Sequence, residues 1–352
     1  MASDLGGGET SDWRPTASWE NLQKRAGLLK AVRKFFDRRG FLEVQTPLLS
    51  ADTIVDRHIE PITVPWDRCG EARQMTMGVS AGSRNLYSDG SNHPCWYLQT
   101  SPEFCMKRLL AFGGQAIYQI APAFRAGERG TLHNPEFTLV EWYRVGHDLE
   151  EGMNLLDEFC REILGTLPAE KCTYRELFEE HMGLNPHQSS CQIFAATADR
   201  LGLAPPTGLE PDDPDSWRDW LFVELIQPKL GKKRPTIVYD YPATQCGLAK
   251  LRDGTPPVAE RFELFIEGLE LANGYHELGD PDEMQRRFRT NNQWRAREGK
   301  LLLPESSRLL SALWEVGLPS CTGCALGFDR LVMIAVRASR IDEVIAFPIE
   351  RA

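Results

Sequence analysis

The chain has 352 residues, 42% hydrophobic and 26% charged, which excludes a disordered or fibrous protein and allows one large or two ordinary domains with a substantial core. A formal net charge of −10 argues against an extended duplex-binding surface, because phosphate neutralisation needs a concentrated basic face. No run of about 18 apolar residues and no leader-like start point to a soluble cytoplasmic protein without a membrane partner, and nine cysteines, an odd number, point to reduced thiols.

Residues 1–17 read as a flexible tail. A helix is expected from Ser18 to Arg39, since Leu22, Ala26, Leu29, Val32 and Phe36 share one helical face, and Gly40 suits its end. FLEVQTP follows as a strand closed by Thr46-Pro47. Further strands are expected at CWYLQT, AIYQIAPAF, EFTLVEWYR, PTIVYDYP and RFELFI, without the strand-helix rhythm of a parallel doubly wound sheet. The fold class is therefore α+β, a mostly antiparallel sheet flanked by helices. Residues 147–233 read as a helical insertion between strands of one sheet, loosening at Ala204 to Asp215 into a surface linker. The stretch from Gln285 to Lys300 carries six basic residues; a solvated helix face is the plainer reading and a docking surface for an acidic partner the sharper one. Cys321 and Cys324 in SCTGCALG stand without a second pair, which favours glycine-loop packing over zinc or redox use.

Within EFTLVEWYR, alternation puts Phe137, Leu139, Glu141 and Tyr143 on one face and Thr138, Val140 and Trp142 on the other. Both faces are largely apolar, so the strand is expected at the centre of the sheet. A carboxylate there needs a partner: a core arginine, or a cationic ligand.

Farther along, a turn at Glu267-Gly268 would set Phe265 opposite Glu270 and Glu263 opposite Ala272. Glu263 and Glu270 then become diagonal neighbours about 7–8 Å apart, able to converge on one cation. Magnesium with a bound polyphosphate suits such a pair; the alternative is that one of the two faces solvent. GCALGFDRLVMIAV joins glycines 323 and 327 to an apolar helix, a turn that could offer backbone donors to an anion, with Arg330 in its first turn and Arg125 as a second cation elsewhere. Two arginines for phosphate and a carboxylate pair for magnesium leave Glu103, Glu141, Tyr143 and Glu277. Surplus carboxylates in a phosphate site imply a cationic second substrate.

FFDRRGFLEVQTPLL, FRAGERGTLHNPEFTLVEWY and GCALGFDRLVMIAV resemble motifs 1, 2 and 3 of the class II aminoacyl-tRNA synthetases. LQTSPEFCMKRLL and ERFELFIEGLELANGYHEL are similar to lysyl-tRNA synthetase, and the likeness runs from about Ser18 to the C-terminus. Motif 1 begins almost at once, leaving no room for the anticodon-binding OB domain, a module of about 100 residues. The chain thus resembles the truncated paralogues that attach (R)-β-lysine or lysine to a lysine of translation elongation factor P, and 18–352 reads as one catalytic domain.

The resemblance implies ATP and magnesium as cofactors and a homodimer built through motif 1. It places Arg125 on the α-phosphate, Phe137 on adenine and His133 and Arg330 on the outer phosphates, with Arg125 and Arg330 catalytic. It also makes Glu263 and Glu270 magnesium ligands, Glu270 thereby an ATP contact. Glu103, Glu141, Tyr143 and Glu277 would hold the two amino groups, with Ser101 and Asn273 lining the pocket. The family has Asn-Glu after its motif 2 arginine; here Ala126-Gly127 follow, and Glu128 one place later is the candidate ATP contact. Ala325 replaces a motif 3 glycine and could reshape the pocket away from α-lysine by about 1–3 kcal/mol of discrimination. Three alternatives stay open: tRNA as acceptor, which the acidic charge disfavours; a small-molecule acceptor; and a non-catalytic regulatory paralogue, disfavoured by the intact carboxylates and arginines.

Overall fold

The computed structural model describes residues 13–65 and 95–352, so residues 1–12 of the expected tail lie outside the described residues. The first helix, α1 (Trp19–Asp37), starts where the Ser18 hydroxyl accepts the Asn21 N–H at 3.1 Å, and it buries Val32, Phe35 and Phe36. Gly40 follows it with φ 71°, in the left-handed region that glycine enters without strain. The expected FLEVQTP strand shrinks to β1 (Leu42–Glu43) at the sheet edge, since Pro47 has no N–H to give a ladder.

Three short strands, β2 (Leu49–Ser50), β3 (Thr63–Pro65) and β4 (Cys95–Leu98), make a small sheet in the order β2-β4-β3. Then come α2 (Glu103–Ala111), β5 (Ala116–Phe124) and β6 (Glu136–Val145). The next segment holds α3 (Leu149–Leu164), β7 (Glu170–Thr173), α4 (Tyr174–Met182), α5 (Cys191–Arg200) and α6 (Pro214–Leu221). The last third holds β8 (Thr236–Pro242), β9 (Leu251–Arg252), β10 (Val258–Ile266), β11 (Leu269–His276), α7 (Pro281–Arg297), α8 (Arg308–Val316), β12 (Cys321–Gly327) and α9 (Phe328–Val336).

The large sheet runs β1-β5-β6-β12-β11-β10-β8-β7, with β9 beside β10, and only the β1/β5 and β7/β8 pairs are parallel. A mostly antiparallel α+β sheet is thus what the strand pattern predicted. Strand β6 is central, as its two apolar faces require. Its Val140 and Trp142 join Val32, Phe36, Phe159, Phe262 and Leu331 in a core against α1, α3 and α9. The opposite face carries the polar side chains described below. Among the described residues no helix is long and apolar enough to cross a membrane.

Two readings need correction. Residues 147–233 contribute β7 to the sheet edge as well as four helices, and α6 begins inside the expected linker, at Pro214, where a proline in the first turn loses no hydrogen bond. Residues 321–327 are a central strand rather than a glycine turn, so only Gly327 stands at the start of α9, and Cys321 and Cys324 face opposite sides of the sheet. The basic stretch around α7 is mostly the solvated helix face of the plainer reading, with Arg286, Arg289 and Arg297 exposed; Arg286 and Arg287 pair with Glu283, Arg289 with Glu305 and Lys300 with Glu298, Arg297 lies over the Trp294 ring, and only Arg295 is fully buried, against Glu60.

Candidate active site

Register places five side chains in one row across the sheet: Gln119 is paired with Glu141, Glu141 with Ala325, Ala325 with Asn273, and Asn273 with Glu263. Directly paired residues project to the same side, so all five share the face away from the aromatic core. The next row reads Ile117, Tyr143, Gly323, Tyr275 and Arg261. Strands lie about 4.8 Å apart, so Glu141 and Glu263, three strands apart, stand about 14 Å from each other.

At one end, Glu141 is 1% exposed and accepts from the Tyr143 hydroxyl at 2.6 Å and the Ser101 hydroxyl at 2.7 Å. Ser101 also accepts the Glu103 N–H at 3.1 Å, drawing the start of α2 onto the sheet. Burial, reinforced by the Glu103 charge, pushes the Glu141 carboxyl up to about 7. From α2 the fully buried Lys107 ammonium reaches Glu103 at 2.5 Å and Glu277 at 2.6 Å. The second contact is an ion pair off the hydrogen-bonding direction of Glu277 Oε2. Burial lifts Glu277 to about 8 although Lys107 opposes the shift. A Cβ at Gly323 would fall 2.3 Å from Glu277 Oε1 and 2.3 Å from the Tyr143 ring, so only glycine lets these two side chains converge.

Cations gather farther along the strands, where Arg125 follows β5 and Arg330 follows β12. Arg125 lies over the Phe137 ring at 5.0 Å and 3.8 Å from Glu128, and its buried Nε has no partner among the described residues. Arg330 donates to the Glu270 carbonyl at 2.8 Å, approaches the Glu270 carboxylate at 3.6 Å and contacts His133 Nε2 at 2.7 Å. A guanidinium can only donate, so Nε2 accepts; burial first and then the Arg330 charge hold His133 below the ordinary histidine range, keeping it neutral. Asp329 points away from this site, accepting the Thr138 N–H at 2.7 Å and pairing with Arg25 at 2.5 Å, and so ties α9 to β6 and α1.

The Glu267-Gly268 turn forms as expected, with φ 54° and 79°. Phe265 faces Glu270, but Glu263 faces Asn273 instead of Ala272, because a bulge at Leu271 slips the register by one. Leu271 and Ala272 both enter the core, which keeps Glu270 on the face of Glu263. Glu263 is buried and pairs with Arg261 and with the Tyr241 hydroxyl at 2.7 Å, whereas the Glu270 side chain is 41% exposed. Burial raises the Glu263 carboxyl, and the negative charge of Glu270 raises it further, so the two carboxylates sense each other. Such hard oxygen donors, each with spare lone pairs, fit a magnesium ion. Asn273 is engaged at both ends, accepting from Arg261 at 3.2 Å and donating to the Tyr275 hydroxyl at 3.0 Å.

Sequence reasoning missed Lys107, Arg261, Tyr241 and Gln119. Lys107 had a signal, since Glu103 and Lys107 are one helical turn apart in EFCMKRLL. The partners of Arg261 and Tyr241 depend on strand order, which no local pattern encodes.

The tRNA synthetases class II (D, K and N) family model matches residues 9–351. Proteins from Pectobacterium atrosepticum and Salmonella arizonae are each 41% identical over 344 residues, covering 98% of this chain and 99% of theirs; both are named elongation factor P--(R)-beta-lysine ligase. A polar face on an antiparallel sheet, with buried carboxylates in one part and cations in another, and these end-to-end likenesses agree: the chain belongs to the class II tRNA synthetases of the D, K and N group.

Proposed function

We propose that this chain uses ATP to activate (R)-β-lysine, or lysine, and transfers it to the ε-amino group of a lysine on translation elongation factor P, with residues 18–352 as the catalytic unit. The observation that carries the reading is the cluster of Glu103, Glu141 and Glu277, buried on the sheet face that also bears Arg125 and Arg330. Buried carboxylates are costly until a cation joins them, which suits a diammonium substrate.

In the first step a carboxylate oxygen of the amino acid bonds to the α-phosphorus of ATP, the bond to the bridging oxygen breaks, and pyrophosphate leaves. Arg125 would hold the α-phosphate and, with Arg330, meet the charge that builds there, while Phe137 and Glu128 would contact the adenosine portion and His133 the outer phosphates. Magnesium, held by Glu263 and Glu270, would supply charge neutralisation of the phosphates. In the second step the acceptor ε-amine attacks the adenylate carbonyl, loses its proton and displaces AMP. Glu141, Tyr143, Glu277 and Glu103 would grip the two ammonium groups, with Ser101, Asn273 and Ala325 shaping the wall; catalysis is positioning and electrostatics, with no side-chain nucleophile. The α1–β1 surface, where Trp19 and Leu42 lie largely exposed, would pair two copies.

Intact mass of elongation factor P, and acid-gel analysis of tRNA in parallel, after incubation with the protein, ATP, magnesium and either isomer tests this. A gain of one lysyl unit on the protein, absent in Glu270→Ala, is expected. Charged tRNA with an unmodified protein acceptor would replace this reading with a tRNA-directed one.

A further inference from the structure

Glu103 and Glu277 are two of the residues assigned above to the substrate's amino groups, yet in the structure both already hold a cation of the protein's own. Lys107 Nζ lies 2.5 Å from one and 2.6 Å from the other, and the side chain is completely buried. Both carboxylate oxygens touch one nitrogen, so they can be no more than about 5 Å apart. Glu141, two strands from Glu277, adds a third negative charge, and its partners Tyr143 and Ser101 are neutral donors.

We propose that Lys107 is a specificity-determining positioning residue: by neutralising one of three buried carboxylates through Glu103 and Glu277, it sets the pocket to two unmatched negative charges, the complement of a diammonium substrate. This rests on the reading of the site given above. Three carboxylates against one ammonium leave two negative charges, and an amino acid with two amino groups brings two positive ones in addition to its reacting carboxylate. The other titratable groups facing the cluster stay neutral through the working range. Burial raises Tyr143 well above its ordinary value, Tyr275 to about 12, and Cys321 likewise upward. Burial alone would discharge Lys107, but the two adjacent carboxylates outweigh it and keep the ammonium protonated.

The mechanism of discrimination is proton exchange. With the pocket empty, Glu141 and Glu277 keep protons near neutrality, lifted to about 7 and about 8. Entry of the diammonium ion sends those protons to the buffer as the carboxylates ionise against it, about one at pH 7.5. A ligand with one ammonium group leaves a carboxylate without a counter-charge, which then retains its proton. Without Lys107, Glu103 and Glu277 would repel across about 5 Å, enough to raise the proton affinity of the pair by about two pH units at an effective dielectric near 20.

Calorimetry of lysine or (R)-β-lysine binding in buffers of different ionisation enthalpy counts the released protons, and pyrophosphate exchange gives the pH profile of kcat/KM. In Lys107→Met a third carboxylate lacks a counter-charge and keeps its proton in the complex, so the release at pH 7.5 should fall below that of the wild type and the acidic limb should shift, chiefly through KM. Glu103→Gln combined with Lys107→Met removes both members of the pair, leaves no uncompensated buried charge to prevent folding, and should return proton release toward wild type while KM stays raised through the lost Glu103 contact. Unchanged proton release and pH profile in the folded single variant, or a double variant whose proton release stays as displaced as the single variant's, would overturn the role of Lys107. Wild-type protein that binds neither isomer would overturn the functional reading itself, and the assignment of Lys107 with it.

Discussion

The two ends of the site differ in how completely they are satisfied by the protein itself. At the carboxylate end Glu141, Tyr143, Glu103, Lys107 and Glu277 are buried, and with half-buried Ser101 they contact one another. At the arginine end the Glu270 side chain is 41% exposed, Arg330 approaches it only to 3.6 Å, and Arg125 rests on an aromatic ring with its Nε unpartnered among the described residues. Charge density is therefore built in at one end and supplied by the ligand at the other. On the function proposed above, a large, mobile polyphosphate with its metal would assemble the open end, whereas a small diammonium ion would find its complement already in place.

The largest break in this contrast is expected at the open end. Arg330→Ala should lower amino-acid-dependent pyrophosphate exchange by about 10³-fold, as loss of a fixed donor to developing charge does, with melting temperature nearly unchanged. A stability loss comparable to a core deletion would show that this end is as structurally committed as the other. At the closed end Gly323→Ala forces a methyl into Glu277 and Tyr143. It should destabilise the protein by about 1–3 kcal/mol in denaturant titration and raise KM for the amino acid about 100-fold. An unaltered KM would place amino-group binding elsewhere.

Titration separates the ends without mutation. Glu141 and Glu277 have folded values of about 7 and about 8, raised by burial above the unfolded carboxyl, so the native state binds more protons than the unfolded one between roughly pH 4.5 and pH 8. Stability from these groups is full below the unfolded value and falls as pH rises through the folded ones. Melting temperature of the empty protein should drop by several degrees from pH 6 to pH 9, and the rise on adding lysine should grow over the same interval. A lysine-induced rise that shrinks as pH increases would mean that the carboxylates do not receive the amino groups. The smallest effect is expected at Ala325, paired with both Glu141 and Asn273. Removing its methyl in Ala325→Gly should shift the (R)-β-lysine to α-lysine ratio of kcat/KM about 10-fold toward α-lysine. An unchanged ratio would exclude this wall from isomer selection.

Much of the architecture was legible because it is local. Strand β5 matches the expected AIYQIAPAF, β6 extends EFTLVEWYR by one residue, the first helix starts one residue after the expected Ser18, the Glu267-Gly268 turn lies where its residue types predict, and Glu141 was singled out as a carboxylate out of place on a central strand. What escaped depends on contacts between distant segments. The bulge at Leu271 moves the partner of Glu263 from Ala272 to Asn273, although nothing in GLELANG marks the extra residue. Residues 321–327 looked like a turn because their glycines suit one, yet Gly323 is needed in a strand for the space it leaves beneath two side chains. Lys107 was passed over because a lysine on an amphipathic helix ordinarily faces water, and only the fold reveals that this one meets Glu277.

The row across β5, β6, β12, β11 and β10 also acts as a ruler. Its stations are fixed by main-chain hydrogen bonds, so their spacing is quantised at about one strand separation and cannot be tuned by a substitution. Only the reach of each side chain from its station is adjustable. A new substrate of a different length would therefore have to be accommodated by lengthening or shortening groups such as Ala325 and Glu141, or by slipping a strand, and the Leu271 bulge shows the second adjustment already written into the backbone.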